Sequence, residues 1–111
     1  MTEVRLREAS FLILSALASE PRHGYGIIKD VQAQSDGAVV LRVGTLYGAL
    51  DRLAEEGLIE FDHEEVVDSR LRRYYRISTA GAARLDREAQ RSARQAELAL
   101  SRLATAKGLL A

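Results

Sequence analysis

Two hydrophobic periodicities follow one another along the 111-residue chain. Apolar residues first recur every three or four positions, which predicts helices over residues 6–19, 23–34 and 43–56. The first of these is apolar on almost every side, so we expect it to be central and buried. Residues 38–41 are short and β-branched, which indicates a small edge strand or an extended connector.

After Gly57 the apolar period changes to two. This alternation in residues 58–63, and more weakly in 73–77, predicts an antiparallel hairpin with a fairly long loop. Three helices, a hairpin and a further helix form the order of a winged helix-turn-helix. The sequence therefore predicts a mainly α fold with a small β-hairpin, in which residues 1–78 form a winged helix-turn-helix DNA-binding domain and residues 79–111 a long C-terminal dimerisation helix.

The last helix is expected to begin at a cap provided by Ser78 or Thr79 and to reach about Lys107, with Gly108 as its stop. At about 30 residues it would span roughly 45 Å, which exceeds the width of a domain of this size. Its apolar stripe therefore needs a partner, and a two-fold dimer is the simplest one; a frayed monomeric helix is the alternative. The residues assigned to this dimerisation stripe are Leu85, Ala89, Ala96, Leu100, Leu103 and Leu110.

The third helix directs its leucines to one side and two glycines, Gly44 and Gly48, to the other. Gly48 lies mid-helix, where glycine costs about 1 kcal/mol relative to alanine, so helix stability does not explain it. A bare face permits a close approach, and we expect DNA to approach it; a tolerated glycine or packing against another protein element is the alternative. The outward face also carries Arg52.

Four arginines follow the acidic residues of the predicted hairpin in one short run, at positions 70, 72, 73 and 76. As a wing beside the third helix they would contact phosphates or reach into the minor groove. The alternative is a solvated hairpin whose arginines balance the acidic strand before them. The acidic side chains of Glu64, Glu65 and Asp68 would repel DNA if they faced it.

Composition supports an ordinary globular domain and gives no support for an enzyme. There are 16 basic and 16 acidic residues, 47% hydrophobic residues and no cysteine, which excludes disulfides and thiolate metal sites. His23 and His63 are the only histidines, and neither is paired with a nucleophile or with carboxylates at metal-ligand spacing, so we expect no catalytic site, metal or cofactor. Opportunistic metal binding by His63 with Glu64 and Glu65 is the alternative. The apolar run at 11–14 is too short to span a membrane or to form the core of a signal peptide, so the cytoplasm is the expected compartment. A protein-interaction module built on a winged helix is the alternative that neutral net charge allows.

Three motifs in order resemble those of the PadR family of transcriptional regulators. They are LASEPRHGYGII at 17–28, GTLYGALDRLAEEGLI at 44–59 and RRYYRISTAG at 72–81. The resemblance implies a homodimeric repressor that binds double-stranded DNA at a pseudo-palindromic operator and is released by a small hydrophobic or aromatic effector. The effector pocket would lie between the long helix and the winged domain of the other subunit.

The resemblance also implies roles for individual residues. Tyr25 would support the core, Thr45 and Tyr47 would lie near phosphates or base edges, and the wing would contact the DNA backbone through Arg72 and Arg73. Tyr74 and Tyr75 would anchor the wing strand. Arg42 stands where the family often has an N-capping serine, and it would contact a phosphate instead. Together with the helix and wing positions above, the expected DNA-contacting residues are Arg42, Gly44, Thr45, Tyr47, Gly48, Arg52, Arg70, Arg72 and Arg73.

Overall fold

The computed structural model describes the backbone of residues 3–110 and the side chains of residues 3–108. It is mainly helical, with a small antiparallel sheet whose strand order is β1-β3-β2. This confirms the predicted winged helix-turn-helix with a long final helix. In chain order the elements are α1 (Glu8–Ser19), β1 (Arg22–His23), α2 (Gly24–Gln34), α3 (Val43–Glu55), β2 (Ile59–Val67), β3 (Arg70–Ile77) and α4 (Thr79–Leu110).

The core lies between the first three helices, as the apolar spacing predicts. α1 is central: Ile13, Leu14 and Leu17 are almost completely buried. The inner face of α3 packs against it through leucines spaced four and three apart, which share one side of a helix. The buried residues of this cluster are Ile13, Leu14, Leu17, Ile27, Val31, Leu41, Leu46, Ala49, Leu50, Leu53, Leu58 and Ile59.

The hairpin is longer than the sequence indicates, and the prediction of a long loop is wrong. β2 and β3 pair as far as Val67 and Arg70, and only Asp68 and Ser69 lie between the strands. Both turn residues have positive φ, 52° and 62°, as a two-residue type I′ turn requires. The residues of both strands near the turn are mostly polar or exposed, so no apolar alternation in the sequence indicates that they pair.

A third strand, β1, was not predicted. Its two residues pair with β3, Arg22 with Tyr75 and His23 with Tyr74. Two residues carry no periodicity, so the sequence pattern cannot reveal such a strand. Residues 38–41 form no strand and serve as the extended connector between α2 and α3.

A joint of hydrogen bonds connects the end of α3, the start of the wing and the start of α4. The hydroxyl of Ser78 donates to the Gly57 carbonyl at 2.6 Å and accepts from the amide of Gly81 at 2.9 Å. Ser78 is thus the N-cap of α4, one of the two predicted caps. Gly57 has φ of +75°, the left-handed conformation of a glycine that ends a helix, and it follows α3. Gly81 packs so closely that a Cβ there would lie 2.0 Å from the carbonyl oxygen of Leu58.

α4 has 32 residues and so spans about 48 Å. Gly108 does not end it, since the helix continues to Leu110 and Gly108 lacks the positive φ of a glycine cap. The first turns pack against α1, and Glu88, buried in this contact, pairs with Arg5 at 3.3 Å and Arg91 at 3.6 Å. Residues 92–108 are exposed. The radius of gyration, 17.2 Å, exceeds the roughly 13 Å of a compact 100-residue domain because this half of α4 projects beyond the body.

Candidate nucleic-acid interface

The outward face of α3 is open, as the glycine pattern predicts. A Cβ added at Gly44 or Gly48 would meet nothing within 4 Å. Thr45 lies exposed between them, and Tyr47 is 44% exposed. Arg42 occupies the N-cap position and forms no side-chain capping bond, because a guanidinium has no acceptor for the amides of the helix. A helix with such a bare face fits the major groove of DNA.

Tyr47 is held in place by a glycine of the neighbouring helix. A Cβ at Gly24 would lie 2.7 Å from the Tyr47 hydroxyl oxygen and 3.4 Å from the Leu46 side chain. The absence of a side chain at Gly24 therefore allows the Tyr47 ring to cross the first turn of α2. The sequence does not reveal this role, because nothing in the spacing of the two residues indicates that they meet.

A cavity of about 510 Å³ lies between the wing, α3 and the first turn of α2. We call it the wing hollow. Three arginines of β3 contribute to it, and so do two tyrosines and a histidine, which makes it cationic and rich in hydrogen-bond donors. Its lining residues are His23, Gly24, Tyr25, Tyr47, Arg70, Leu71, Arg72 and Arg73.

Three of the four wing arginines differ from Arg76 in their surroundings. Arg76 is held by Glu60 at 2.8 Å and by Asp62 at 3.2 Å, so its charge is neutralised within the sheet. Arg73 lies over the Phe61 ring, 4.9 Å from its centroid. Within residues 3–110, neither Arg70 nor Arg73 forms an ion pair. These guanidinium groups are therefore available to an external anion.

A row of three rings crosses the sheet beside the wing hollow. His23 meets the edge of Tyr74 at 5.1 Å between centroids, and His63 stacks on the other side of Tyr74 at 4.3 Å. His63 also bonds with Asp62 at 2.5 Å and Glu65 at 3.1 Å. Hydrogen bonds from Tyr74 and His63 lower the pKa of the Glu65 carboxyl. Of the three acidic side chains expected to repel DNA, Glu64, Glu65 and Asp68, Glu65 is thus engaged within the sheet.

Tyr25 does not support the core, and that expectation is wrong. Its side chain is 65% exposed, with the Lys29 ammonium 5.5 Å from the ring centroid. Tyr25 lies in the first turn of α2, and it lines the wing hollow instead. Tyr75 does pack against the core, whereas Tyr74 belongs to the ring row.

The structure brings most of the predicted DNA-contacting residues to two adjoining surfaces. Tyr47, Arg70, Arg72 and Arg73 line the wing hollow, while Arg42, Gly44, Thr45 and Gly48 lie on the open side of α3. Arg52 lies apart from them. It is half-buried and lines a separate cavity of about 540 Å³ that also includes Arg5 and Arg84.

The residues assigned to dimerisation fall into two groups. Leu85 and Ala89 are half-buried, and Leu85 packs against the core of its own chain. Ala96, Leu100 and Leu103 are exposed, the two leucines by 67% and 56%. Leu98, which lies outside the predicted stripe, is also 50% exposed. The side chain of Leu110 lies outside the described residues.

Two further observations concern metals and membranes. Among the side chains that the structure describes, no group of three or more histidines, aspartates and glutamates is arranged to hold a metal ion. Between residues 3 and 110, none of the helices combines the length and the apolar composition needed to cross a membrane.

Comparisons with known proteins agree with this geometry. Residues 13–87 match the Transcriptional regulator PadR-like family. An uncharacterized protein of Lysinibacillus sphaericus is 31% identical over 74 residues, which are 67% of this chain and 68% of that protein. A PadR family transcription regulator from Clostridium difficile has a similar structure, with a TM-score of 0.72 and 25% identity over 87% of this chain and 99% of that one. Bacillus subtilis PadR in complex with operator DNA has the same fold, with a TM-score of 0.64 and 21% identity over 72% of this chain and 45% of that one.

Proposed function

The chain belongs to the PadR-like family of transcriptional regulators, and we propose that it is a ligand-responsive repressor that binds a pseudo-palindromic operator as a homodimer. It is a regulator and not an enzyme. Because a repressor works where the chromosome is, we place it in the cytoplasm. Residues 1–78 would form the DNA-binding domain and residues 79–111 the dimerisation helix.

The observation that carries this proposal is the position of the open face of α3 beside the cationic wing hollow. In this arrangement α3 enters the major groove through Gly44, Thr45 and Gly48, and the arginines of the wing contact the adjacent backbone. That Bacillus subtilis PadR, which shares the fold, binds operator DNA supports the same role here. Arg42, Tyr47 and the wing residues Arg70, Arg72 and Arg73 are the proposed phosphate contacts.

The homodimer is proposed from the exposed half of α4. The exposed half of α4 carries an apolar stripe of Ala96, Leu100 and Leu103. Burying this stripe against the same stripe of a second copy is favourable, because it removes apolar surface from water. The small alanine allows the two helices to approach closely. A two-fold pair would present two copies of α3 to one duplex, as a pseudo-palindrome requires.

The effector site is proposed beside the same helix, where the winged domain of the other subunit would supply one side of the pocket and this chain the other. A cavity of about 380 Å³ lies between α1 and α4, with Leu6 and Phe11 as apolar walls and Glu88 and Ser92 as hydrogen-bonding groups. A small hydrophobic or aromatic compound fits such a cavity. A compound that binds there and acts as an inducer weakens the protein's affinity for its operator; one that binds without changing DNA affinity would remove ligand response from the proposal.

The experiment that tests the proposed function measures DNA binding as a function of salt. A duplex enriched by the protein from a random-sequence library is titrated at several salt concentrations. Binding should weaken as salt rises. In a plot of the logarithm of the binding constant against the logarithm of the salt concentration, each phosphate contacted should contribute about −0.9 to the slope. A protein-interaction module, the competing function, would show neither enrichment of a sequence nor a slope.

The wing is tested with a pair of matched variants. Combined Arg72→Ala and Arg73→Ala should reduce the salt slope by about two, because two cations leave the phosphate backbone. Arg76→Ala removes an arginine from the same strand whose charge Glu60 and Asp62 already neutralise, so its slope should stay that of the parent protein. Equal slopes for all three proteins would exclude the wing from DNA binding.

A further inference from the structure

His23 occupies the N-cap of α2, and the capping bond fixes where its proton lies. The Nδ1 atom of His23 accepts from the backbone amide of Gly26 at 3.2 Å. A neutral imidazole carries a single N–H, so a ring whose Nδ1 accepts must carry its proton on Nε2. Burial, together with the nearby charge of Arg72, holds the pKa of His23 below its ordinary value, so the neutral, capping form is favoured.

The Nε2 atom then faces another donor. It lies 3.4 Å from Nη1 of Arg72, and a guanidinium has no acceptor atom. The alternative, in which Arg72 donates to Nε2, would place the proton on Nδ1 against the amide of Gly26 and leave that helix-end amide without its partner. The imidazole N–H and the guanidinium therefore converge with no acceptor between them, at the edge of the wing hollow.

The acceptors near this pair already have partners: Glu65 accepts from Tyr74 and His63, and the Tyr74 hydroxyl is bonded with Glu65 and Arg72. Glu65 is the register partner of Arg72 on β2, but it does not line the wing hollow, and its Oε1 is bonded with His63. The rest of the lining consists of two tyrosines, two more arginines, a leucine and a glycine, and it includes no carboxylate. An anionic oxygen that enters the wing hollow can accept from His23 and Arg72 at once.

We propose that the wing hollow holds one phosphate of the DNA backbone, with the Nε2–H of His23 and the guanidinium of Arg72 as paired donors. The inference rests on the proposed function and adds His23 to the DNA-contacting residues. His23 contributes a neutral hydrogen bond and Arg72 the charge. The exposed ring of Tyr25 forms the rim of the same site.

The first test uses the protein without substitution. A long-range proton–nitrogen NMR spectrum of the neutral imidazole distinguishes the two tautomers. The Nε2–H form of His23 is expected. The Nδ1–H form would remove the free donor from the hollow and overturn the proposal.

The second test uses His23→Asn, because asparagine is a good N-cap and so keeps the end of α2 while it removes the ring donor. With the enriched duplex as probe, affinity should fall about tenfold at every salt concentration, with an unchanged slope, since a neutral donor is lost. Arg72→Ala should instead lower the slope by about one. His63→Asn is the matched control, because His63 stacks on the same Tyr74 but lies outside the wing hollow, and it should bind as the parent protein does.

A third test identifies the phosphate itself. Duplexes that each carry one uncharged methylphosphonate linkage are scanned against the parent protein and His23→Asn. At one linkage, the methylphosphonate should weaken DNA binding by the parent protein but weaken binding by His23→Asn much less. The reason is that the methylphosphonate and the His23→Asn substitution remove the same contact. If the parent protein binds DNA with a salt slope but no linkage is coupled to His23, this inference fails and the proposed function stands. If the parent protein shows no salt-dependent binding, the proposed function itself fails.

Discussion

At the scale of single residues, the two histidines of the ring row have opposite surroundings. The hydrogen bond to Asp62, with a further one to Glu65, raises the pKa of His63 above its ordinary value. Burial and the charge of Arg72 lower the pKa of His23. The same side chain thus titrates differently on the two sides of Tyr74.

We predict that His23 titrates at a lower pH than His63 when the imidazole carbon shifts are followed by NMR. The contribution of His63 to stability is present below the pKa of an unfolded histidine and is lost as pH rises through its raised value. The contribution of His23 is present above the unfolded pKa and is lost as pH falls through its lowered value. His63→Asn assigns the two signals, and coincident or reversed midpoints would contradict the ring-row geometry.

Gly48 and Gly81 are both helical glycines, and we predict that alanine acts in opposite directions at the two positions. At Gly48 the added methyl meets open space, so Gly48→Ala should raise the free energy of unfolding by about 1 kcal/mol. At Gly81 it would meet the Leu58 carbonyl, so Gly81→Ala should lower that free energy by roughly 2–3 kcal/mol. Denaturant unfolding measures both.

The same Gly48→Ala variant also tests the interface. A methyl on the face of α3 that meets DNA should weaken binding to the enriched duplex even though the fold is more stable. A variant that is more stable and binds DNA unchanged would show that this face does not approach the groove.

At the scale of elements, the wing depends on a turn whose residues are not the best ones for it. Ser69 has φ of 62°, and an L-residue with a side chain pays roughly 1–2 kcal/mol in that conformation. Ser69→Gly should therefore raise the free energy of unfolding by about 1 kcal/mol, because glycine is favoured at this position of a type I′ turn.

Ser101→Gly is the matched control for the turn. Ser101 is exposed in α4, where glycine lowers helix stability, so this variant should be less stable than the parent protein. A destabilised Ser69→Gly protein would mean that the two-residue turn does not form.

The elements differ in how far the sequence predicts them. The leucine spacing of α3 determines its buried side, so the position of its open face follows from periodicity alone. β1 and the outer part of the hairpin do not follow, because their pairing is set by backbone contacts with β3 and not by an apolar pattern. The exposure of Tyr25 could not be predicted either, since its spacing with Ile28 is that of a buried face while its place in the first turn is beside the hollow. The wing hollow combines residues from four elements, β1, α2, α3 and β3, so only the tertiary fold shows it.

At the scale of the whole molecule, the elongated shape arises because residues 92–108 of α4 project from the body and stay exposed. We predict that the protein sediments as a dimer and that combined Leu100→Glu and Leu103→Glu converts it to a monomer, because charges replace the exposed leucines of the stripe. DNA affinity should fall with the loss of the second copy.

The control for the dimer carries the same charges on another side of α4. Ser101 and Thr105 are exposed and lie away from the leucine stripe, so Ser101→Glu with Thr105→Glu should leave the protein dimeric. Analytical ultracentrifugation distinguishes the outcomes. If both double variants stay dimeric, the exposed half of α4 is not what joins the copies.

The joint at Ser78 and Gly81 gives α4 the mechanics of a lever. The start of α4 cannot rotate freely on the body. Its N-cap Ser78 donates to the Gly57 carbonyl, and Gly81 in its first turn packs closely against the Leu58 carbonyl. A tilt of about 5° at this fulcrum would move the far end of a 48 Å arm by roughly 4 Å, which is more than one base-pair rise of 3.4 Å. A small change in the angle at which the two α4 helices cross would therefore move the two copies of α3 enough to match, or to mismatch, the spacing of the two operator half-sites.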